Sequence, residues 1–162
     1  MNSIHHINCG FLHAPPNPKA TCHCLLIEDP RGLALIDTGI GMLDIKNPEV
    51  RIGREAIAAA GFQFEEKETA VRQLQSLGFQ PERLRHIVLT HADPDHAGGL
   101  ADFSQALVHL SREERLNIDS GNHRYSAAQF RHGPLWRVYG PSRRRWFGLE
   151  ARELDLGLSC EV

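Results

Sequence analysis

The chain has 162 residues, a formal net charge of −2, and 41% hydrophobic against 23% charged residues. That length suits one domain with its own core, and the composition is that of an ordinary globular fold. The near-neutral charge gives no global pull toward nucleic acid or a membrane surface, and no apolar run approaches the ~20 residues of a membrane span. The opening "MNSIHHINCGFLHAPPNPKA" has no basic-then-apolar leader pattern, so the expected location is the cytoplasm.

In chain order, the Pro-rich "HAPPNPKA" reads as a surface loop. "CLLIE" and "LALID", separated by "DPRG", read as two strands around a turn. A strand over 21–28 would turn Cys22 and Cys24 to one face and His23 to the other, so the three cannot close on one ion. Those two are expected to be buried, and all four cysteines to be thiols, because nothing marks a secreted chain. An irregular stretch follows, with "GMLDIKNPEV" as its loop-like core. Between Lys67 and Leu77, the residues Ala70, Val71, Leu74 and Leu77 recur at helical spacing, and Gly78 supplies the stop. "QPERLR" leads into a buried-type strand, "HIVLT". "AGGLADF" reads as a short helix and "ALVHL" as a strand, and Ser111 with Glu114 forms a capping-box pattern for another helix. Strands alternating with helices place the chain in the α/β class, whose sites lie in loops at the C-terminal ends of strands.

Charge is unevenly placed. Residues 112–152 hold nine arginines against four acidic residues, about +5, while the rest is acidic. This segment reads first as a solvated arginine-rich surface, with a steering field for an anionic substrate as the alternative.

The stretch "HIVLTHADPDHAGGL" puts His91, Asp93, Asp95 and His96 within six residues directly after the apolar strand. Imidazoles mixed with carboxylates suit Zn, Mn or Fe better than Ca or Mg, which prefer all-oxygen shells. Adjacent Asp95 and His96 cannot easily point the same way as His91 and Asp93 in a tight turn. The natural split is therefore one pair per ion, with two ions a few ångströms apart, able to share and acidify a water. The structural alternative is a polar turn in which these residues cap the next helix. Gly98 and Gly99 fit a close backbone approach.

"THADPDHAGGL" resembles the metal-binding signature of the metallo-β-lactamase superfamily, written H-x-H-x-D-H, and "LALIDTG" resembles that family's strand ending in Asp-Thr-Gly. The resemblance spans roughly residues 20–116 and is nearest to the lactonase-like branch. It implies an αββα sandwich and a metal-dependent hydrolase of an ester, lactone or similar acyl bond, acting through a metal-bridging hydroxide on a small, possibly anionic substrate. It implies two divalent ions, zinc first, with His91 and Asp93 on one and Asp95 and His96 on the other. Asp95 becomes the candidate catalytic residue, and Asp37 a brace for the ligand loop.

Two departures from the family pattern stand out. Asp93 occupies the place of the usual second histidine, which adds negative charge and hardens that site. The family's later ligands, a histidine in a Gly-His-Thr context, a bridging aspartate and a last histidine, find no counterpart; the downstream histidines are His109, His123 and His132, expected to be core or loop residues. The chain is therefore expected to be a single domain, 1–162, holding only the first half of the sandwich plus part of the following segment, with "ELDLGLSCEV" as a strand leading onward. A half-sandwich would leave one sheet face bare; truncation of a longer protein is the first explanation expected, and self-association that covers the face the second. The rival reading is a non-catalytic remnant or binding module that keeps the ligand loop. The family's branch that binds two irons with a flavoprotein partner ranks below both, since it usually has Glu at the place of Asp93.

Overall fold

In the computed structural model, which describes residues 2–159, the chain begins with two long strands, β1 (Ser3–Leu12) and β2 (Ala20–Asp29), followed by β3 (Gly32–Ile36). Three short helices come next, α1 (Met42–Lys46), α2 (Pro48–Arg51) and α3 (Arg54–Ala60), and then β4 (Phe62–Gln63) and α4 (Ala70–Ser76). The remainder is β5 (Leu84–Val88), α5 (Pro94–Ala97) with a 3₁₀ turn over Gly98–Phe103, β6 (Leu107–Ser111), α6 (Arg112–Asp119), β7 (Leu135–Tyr139), and a small hairpin of β8 (Arg145–Trp146) and β9 (Leu149–Glu150).

The stretch read as irregular is therefore helical in short pieces. Gly41 precedes the first helix, Pro48 opens the second, and Gly53 with a φ of 100° separates the second from the third. Each break falls before an apolar repeat can build up. Strand β1 carried no sequence signal of its own. Its inward Ile7 and Cys9 alternate with His6 and Asn8, so no apolar run forms.

Seven strands make one mixed sheet in the order β4-β1-β2-β3-β5-β6-β7. The first four are antiparallel neighbours, and β3, β5, β6 and β7 run parallel. The helical face holds the main core, in which Leu26, Leu33, Leu35, Leu74, Ile87 and Leu100 are fully buried. Each such side chain stabilises the fold by roughly 1.5–3 kcal/mol through area removed from water.

The opposite sheet face is not bare. Leu154, Leu156 and Leu158 lie across Ile27, Ala34, Ile36 and Val88, and Ser159 N donates to Asp29 Oδ2 at 2.9 Å. The expected strand at 153–162 is thus replaced, over its described part, by a non-strand segment laid on the sheet; residues 160–162 lie outside the described residues. Among the described residues, that face stays open at its margins, at Ile4 (63% exposed) and Leu135 (50%). Among the described residues no helix is long and apolar enough to cross a membrane.

Candidate metal centre

Strand β3 ends at Ile36 and β5 at Val88, paired in parallel, so the residues that follow them emerge side by side at one sheet edge. Asp37 N donates to Val88 O at 2.9 Å, which locks the two strand ends together. Asp37 adopts φ 57°, a left-handed conformation uncommon outside glycine but tolerated by aspartate. Its buried carboxylate holds it there: Oδ1 accepts from Thr90 N at 2.8 Å, and Oδ2 accepts from Thr90 Oγ1 at 2.7 Å and His96 Nδ1 at 2.8 Å.

These bonds decide how the histidines present themselves. Thr90 Oγ1 spends its proton on Asp37, so toward His91 Nδ1, 3.1 Å away, it acts as acceptor. Both imidazoles then carry their proton on Nδ1 and turn an Nε2 lone pair outward. His91 Nε2 lies 3.3 Å from Asp93 Oδ2, and His96 Nε2 lies 3.6 Å from Asp95 Oδ2. The two rings are 3.9 Å apart between centroids. The geometry thus brings together all four residues singled out by the sequence, in the pairs His91–Asp93 and Asp95–His96.

The donor pairs can be tested against an ion. Two ligands at ~2.0–2.1 Å from a tetrahedral zinc stand about 3.3 Å from each other, against 3.3 Å in the His91–Asp93 pair and 3.6 Å in the Asp95–His96 pair. The chemistry and spacing fit a borderline divalent ion. The number of donors is short, because among the described residues no group of three or more His, Cys, Asp or Glu side chains is arranged to hold one ion. His109 is fully buried and engaged elsewhere, bonded to His86 at 2.9 Å and to the Tyr139 hydroxyl at 2.7 Å. The capping alternative is not what forms: Asp93 sits at the N-cap of α5 without making a side-chain cap bond.

Electrostatics make His96 more basic than an ordinary histidine. Burial pulls its imidazole toward the neutral form, but the Asp37 hydrogen bond and the charges of Asp37, Asp95 and Asp93 together hold its pKa above the ordinary histidine value. Beneath the loop, Cys22 and Cys24 are buried and His23 points away, as the strand pattern predicts. Cys9, Cys22 and Cys24 are free thiols, and burial, with the charges of Asp95 and Cys9, pushes Cys22 up to about 12. Cys160 lies outside the described residues.

Several positioning residues escaped the sequence. Thr38 Oγ1 donates to His96 O at 2.8 Å and accepts from Gly99 N at 3.1 Å; its place in "DTG" was the available signal. The Glu114 carboxylate does not complete the capping box. Ser111 Oγ accepts from Glu114 N at 3.0 Å, but Glu114 Oε1 turns to Ala92 N at 2.7 Å and pins the ligand loop. Arg124 reaches Asp93 from the segment after α6. Gly98 and Gly99 are needed for contact, as expected: a Cβ at Gly98 would fall 2.0 Å from Asp44 Oδ2, and one at Gly99 would fall 2.8 Å from Thr38 O.

A mixed sheet with a histidine–aspartate loop at the end of one strand, braced by an Asp-Thr-Gly turn from its neighbour, defines a metal-binding α/β class. The chain belongs to the metallo-beta-lactamase superfamily, whose family model matches residues 18–159. It is 40% identical over 159 residues to a probable metallo-hydrolase of Mycobacterium tuberculosis, covering 94% of this chain and 50% of that protein. It is 32% identical over 108 residues to an N-acyl homoserine lactonase of Bacillus cereus, covering 67% and 39%. Among solved structures, an N-acyl homoserine lactone hydrolase with N-hexanoyl-L-homoserine at its catalytic metal centre matches with a TM-score of 0.69 at 20% identity, covering 91% of this chain and 63% of that one. The dizinc quorum-quenching lactonase AidC matches with a TM-score of 0.60 at 18% identity, covering 90% and 60%. The structural matches establish a shared fold. The chain spans about half the length of the curated relatives it matches.

Proposed function

We propose that this chain is the ligand-loop portion of a metal-dependent hydrolase of an ester, lactone or similar acyl bond that works in the cytoplasm, with residues 1–162 belonging to one domain. In this reading His91 and Asp93 serve one divalent ion, Asp95 and His96 serve a second, zinc is the first choice with manganese or iron as alternatives, and Asp37 orients His96. The observation that carries it is the loop geometry: two outward Nε2 atoms, each 3.3–3.6 Å from a carboxylate oxygen, with both Nδ1 atoms tied back. The lactonases among its relatives, and the lactone product and two zincs named for its structural neighbours, point to the same chemistry.

Bound divalent ions would supply Lewis acidity toward an acyl carbonyl and make an attacking water more acidic. The chain's own residues do the rest. Asp37 and Thr90 fix both histidine tautomers, and Glu114 fixes the loop backbone at Ala92. Asp95, the candidate catalytic residue, keeps a quarter of its side chain open to solvent, where it can accept a proton from the attacking water. The arginine-rich segment supports the surface reading over steering. Arg115, Arg124, Arg144, Arg145 and Arg152 each stand against a carboxylate, which offsets their field locally.

The shortage of donors favours one competing reading, a non-catalytic module that keeps the loop but not the metal. Purification without chelators, elemental analysis and zinc titration separate the two. With two donors per ion the chain should bind zinc weakly and exchangeably, lose the Asp95–His96 share of that binding in His96→Ala, and turn over neither a lactone nor an aryl ester at a useful rate. Zinc uptake that survives loss of His91, Asp93, Asp95 and His96 together would refute the ligand assignment. Two tightly held ions with turnover would show that further ligands reach the loop. Self-association across the open margins at Ile4 and Leu135 belongs to the same proposal, and size-exclusion chromatography decides it.

A further inference from the structure

The two ligand pairs are not equally free. Both oxygens of Asp93 are engaged by Arg124, whose Nε donates to Oδ1 at 3.2 Å and whose Nη2 donates to Oδ2. This two-point fork is the strongest and most directional form of a guanidinium–carboxylate contact. The Asp93 side chain is 15% exposed and that of Arg124 is 60% exposed, so the contact can open by moving one surface side chain without unfolding anything. Asp95 has no arginine or lysine partner among the described ion pairs and faces only His96. The charge logic is consistent: where the family pattern has a neutral imidazole this chain has a carboxylate, and a cation of its own meets it. An ion shared by His91 and Asp93 would bind the same Oδ2 that Arg124 holds, placing two positive charges on one oxygen.

We propose that Arg124 is a built-in counter-cation for the first metal position, so that the centre loads one divalent ion at Asp95–His96 and takes a second at His91–Asp93 only when the guanidinium is displaced. This rests on the metal-dependent reading above and names what regulates that site. Arg124 is a positioning residue in this scheme: it governs the charge and availability of Asp93.

Calorimetric titration with Zn²⁺ alone at pH 7.5 tests it, on the wild-type chain, Arg124→Gln, Arg124→Gln/Asp93→Ala and His96→Ala, with circular dichroism confirming that each is folded. The wild type should show a single weak zinc-binding event, which His96→Ala loses. Arg124→Gln should gain a second equivalent at least ten-fold tighter than any second binding in the wild type, and removing Asp93 should abolish that gain. Equal stoichiometry and affinity in wild type and Arg124→Gln would overturn the proposal while leaving the metal reading intact. No zinc uptake by any variant would overturn the metal reading, and this proposal with it.

Discussion

Arg51 offers the sharpest test of how the ligand loop is held. Its side chain is buried against Asp44, which is fully buried, with Nε donating to Asp44 Oδ1 at 2.8 Å. The same guanidinium donates to Ala128 O at 2.5 Å, to Gln129 Oε1 at 2.7 Å and to Gly98 O at 3.2 Å, two residues beyond His96. Arg51→Met keeps the apolar stem, orphans three acceptors and leaves Asp44 with only Gly41 N and Gln129 Nε2, each at 3.0 Å. Removing one partner of a buried ion pair destabilises by ~3–5 kcal/mol, and the further orphaned acceptors place the expectation at the upper end. At about 2–4 °C per kcal/mol for a chain of this size, Tm should fall by roughly 6–20 °C in calorimetry. Burial already pushes the Asp44 carboxyl up, against the Gly41 and Arg51 contacts that lower it. A group with a raised carboxyl pKa favours the fold as it takes its proton, so the loss in Arg51→Met should be greater at pH 8 than at pH 5. Arg51→Met/Asp44→Leu should recover most of the stability, because no buried charge remains. A loss under ~1 kcal/mol in the single variant, or no recovery in the double, would refute the reasoning.

Other outcomes follow from the same physics. His109 is held near pKa 4 by burial and by the charges of His86 and Arg137, while an unfolded histidine titrates near ~6.5. The unfolded chain therefore binds the extra proton between those values, so stability is full above pH ~6.5 and falls by up to about 3 kcal/mol toward pH 4. His109→Gln should flatten that slope in denaturant titrations, and identical slopes would count against it. Gly98→Ala should cost about 1–3 kcal/mol through overpacking against Asp44 and Gly39, and should weaken zinc uptake with it. Gly140→Ala, whose new methyl would meet only the flexible end of Arg112 at 3.3 Å, should change unfolding by less than ~0.5 kcal/mol.

What the sequence disclosed was local. His91, Asp93, Asp95 and His96 share one turn, so their chemistry is written in neighbouring letters, and the apolar run before them marks the strand that presents them. The β2–β3 turn, the α4 repeat and the Ser111 cap were legible for the same reason. Glu114, Arg124 and Arg51 were not, because their roles lie in contacts with Ala92, Asp93 and Gly98 that only the folded chain brings together. Glu114 shows the limit most plainly: its spacing from Ser111 predicts a cap, and tertiary demand for a partner at Ala92 N claims the carboxylate instead. The second sheet face was misjudged because alternating Leu154, Leu156 and Leu158 read as a strand, while the structure uses them as a flat cover.

The sheet's change of direction at β3 also dictates an order of assembly. On its β2 side, β3 pairs through a two-residue turn, the kind of local hairpin that closes in microseconds. On the other side it waits for β5, which returns only after α1 to α4 have been laid down. Non-local parallel pairing of this kind is intrinsically slow. The Asp37–Thr90 bonds span that late seam, so the ligand loop has no brace until the parallel half docks. In pulse-labelled exchange during refolding, amides of β1 and β2 should gain protection before Thr90 N does, and nascent chains caught at the early stage would present loose histidines to any metal in their surroundings.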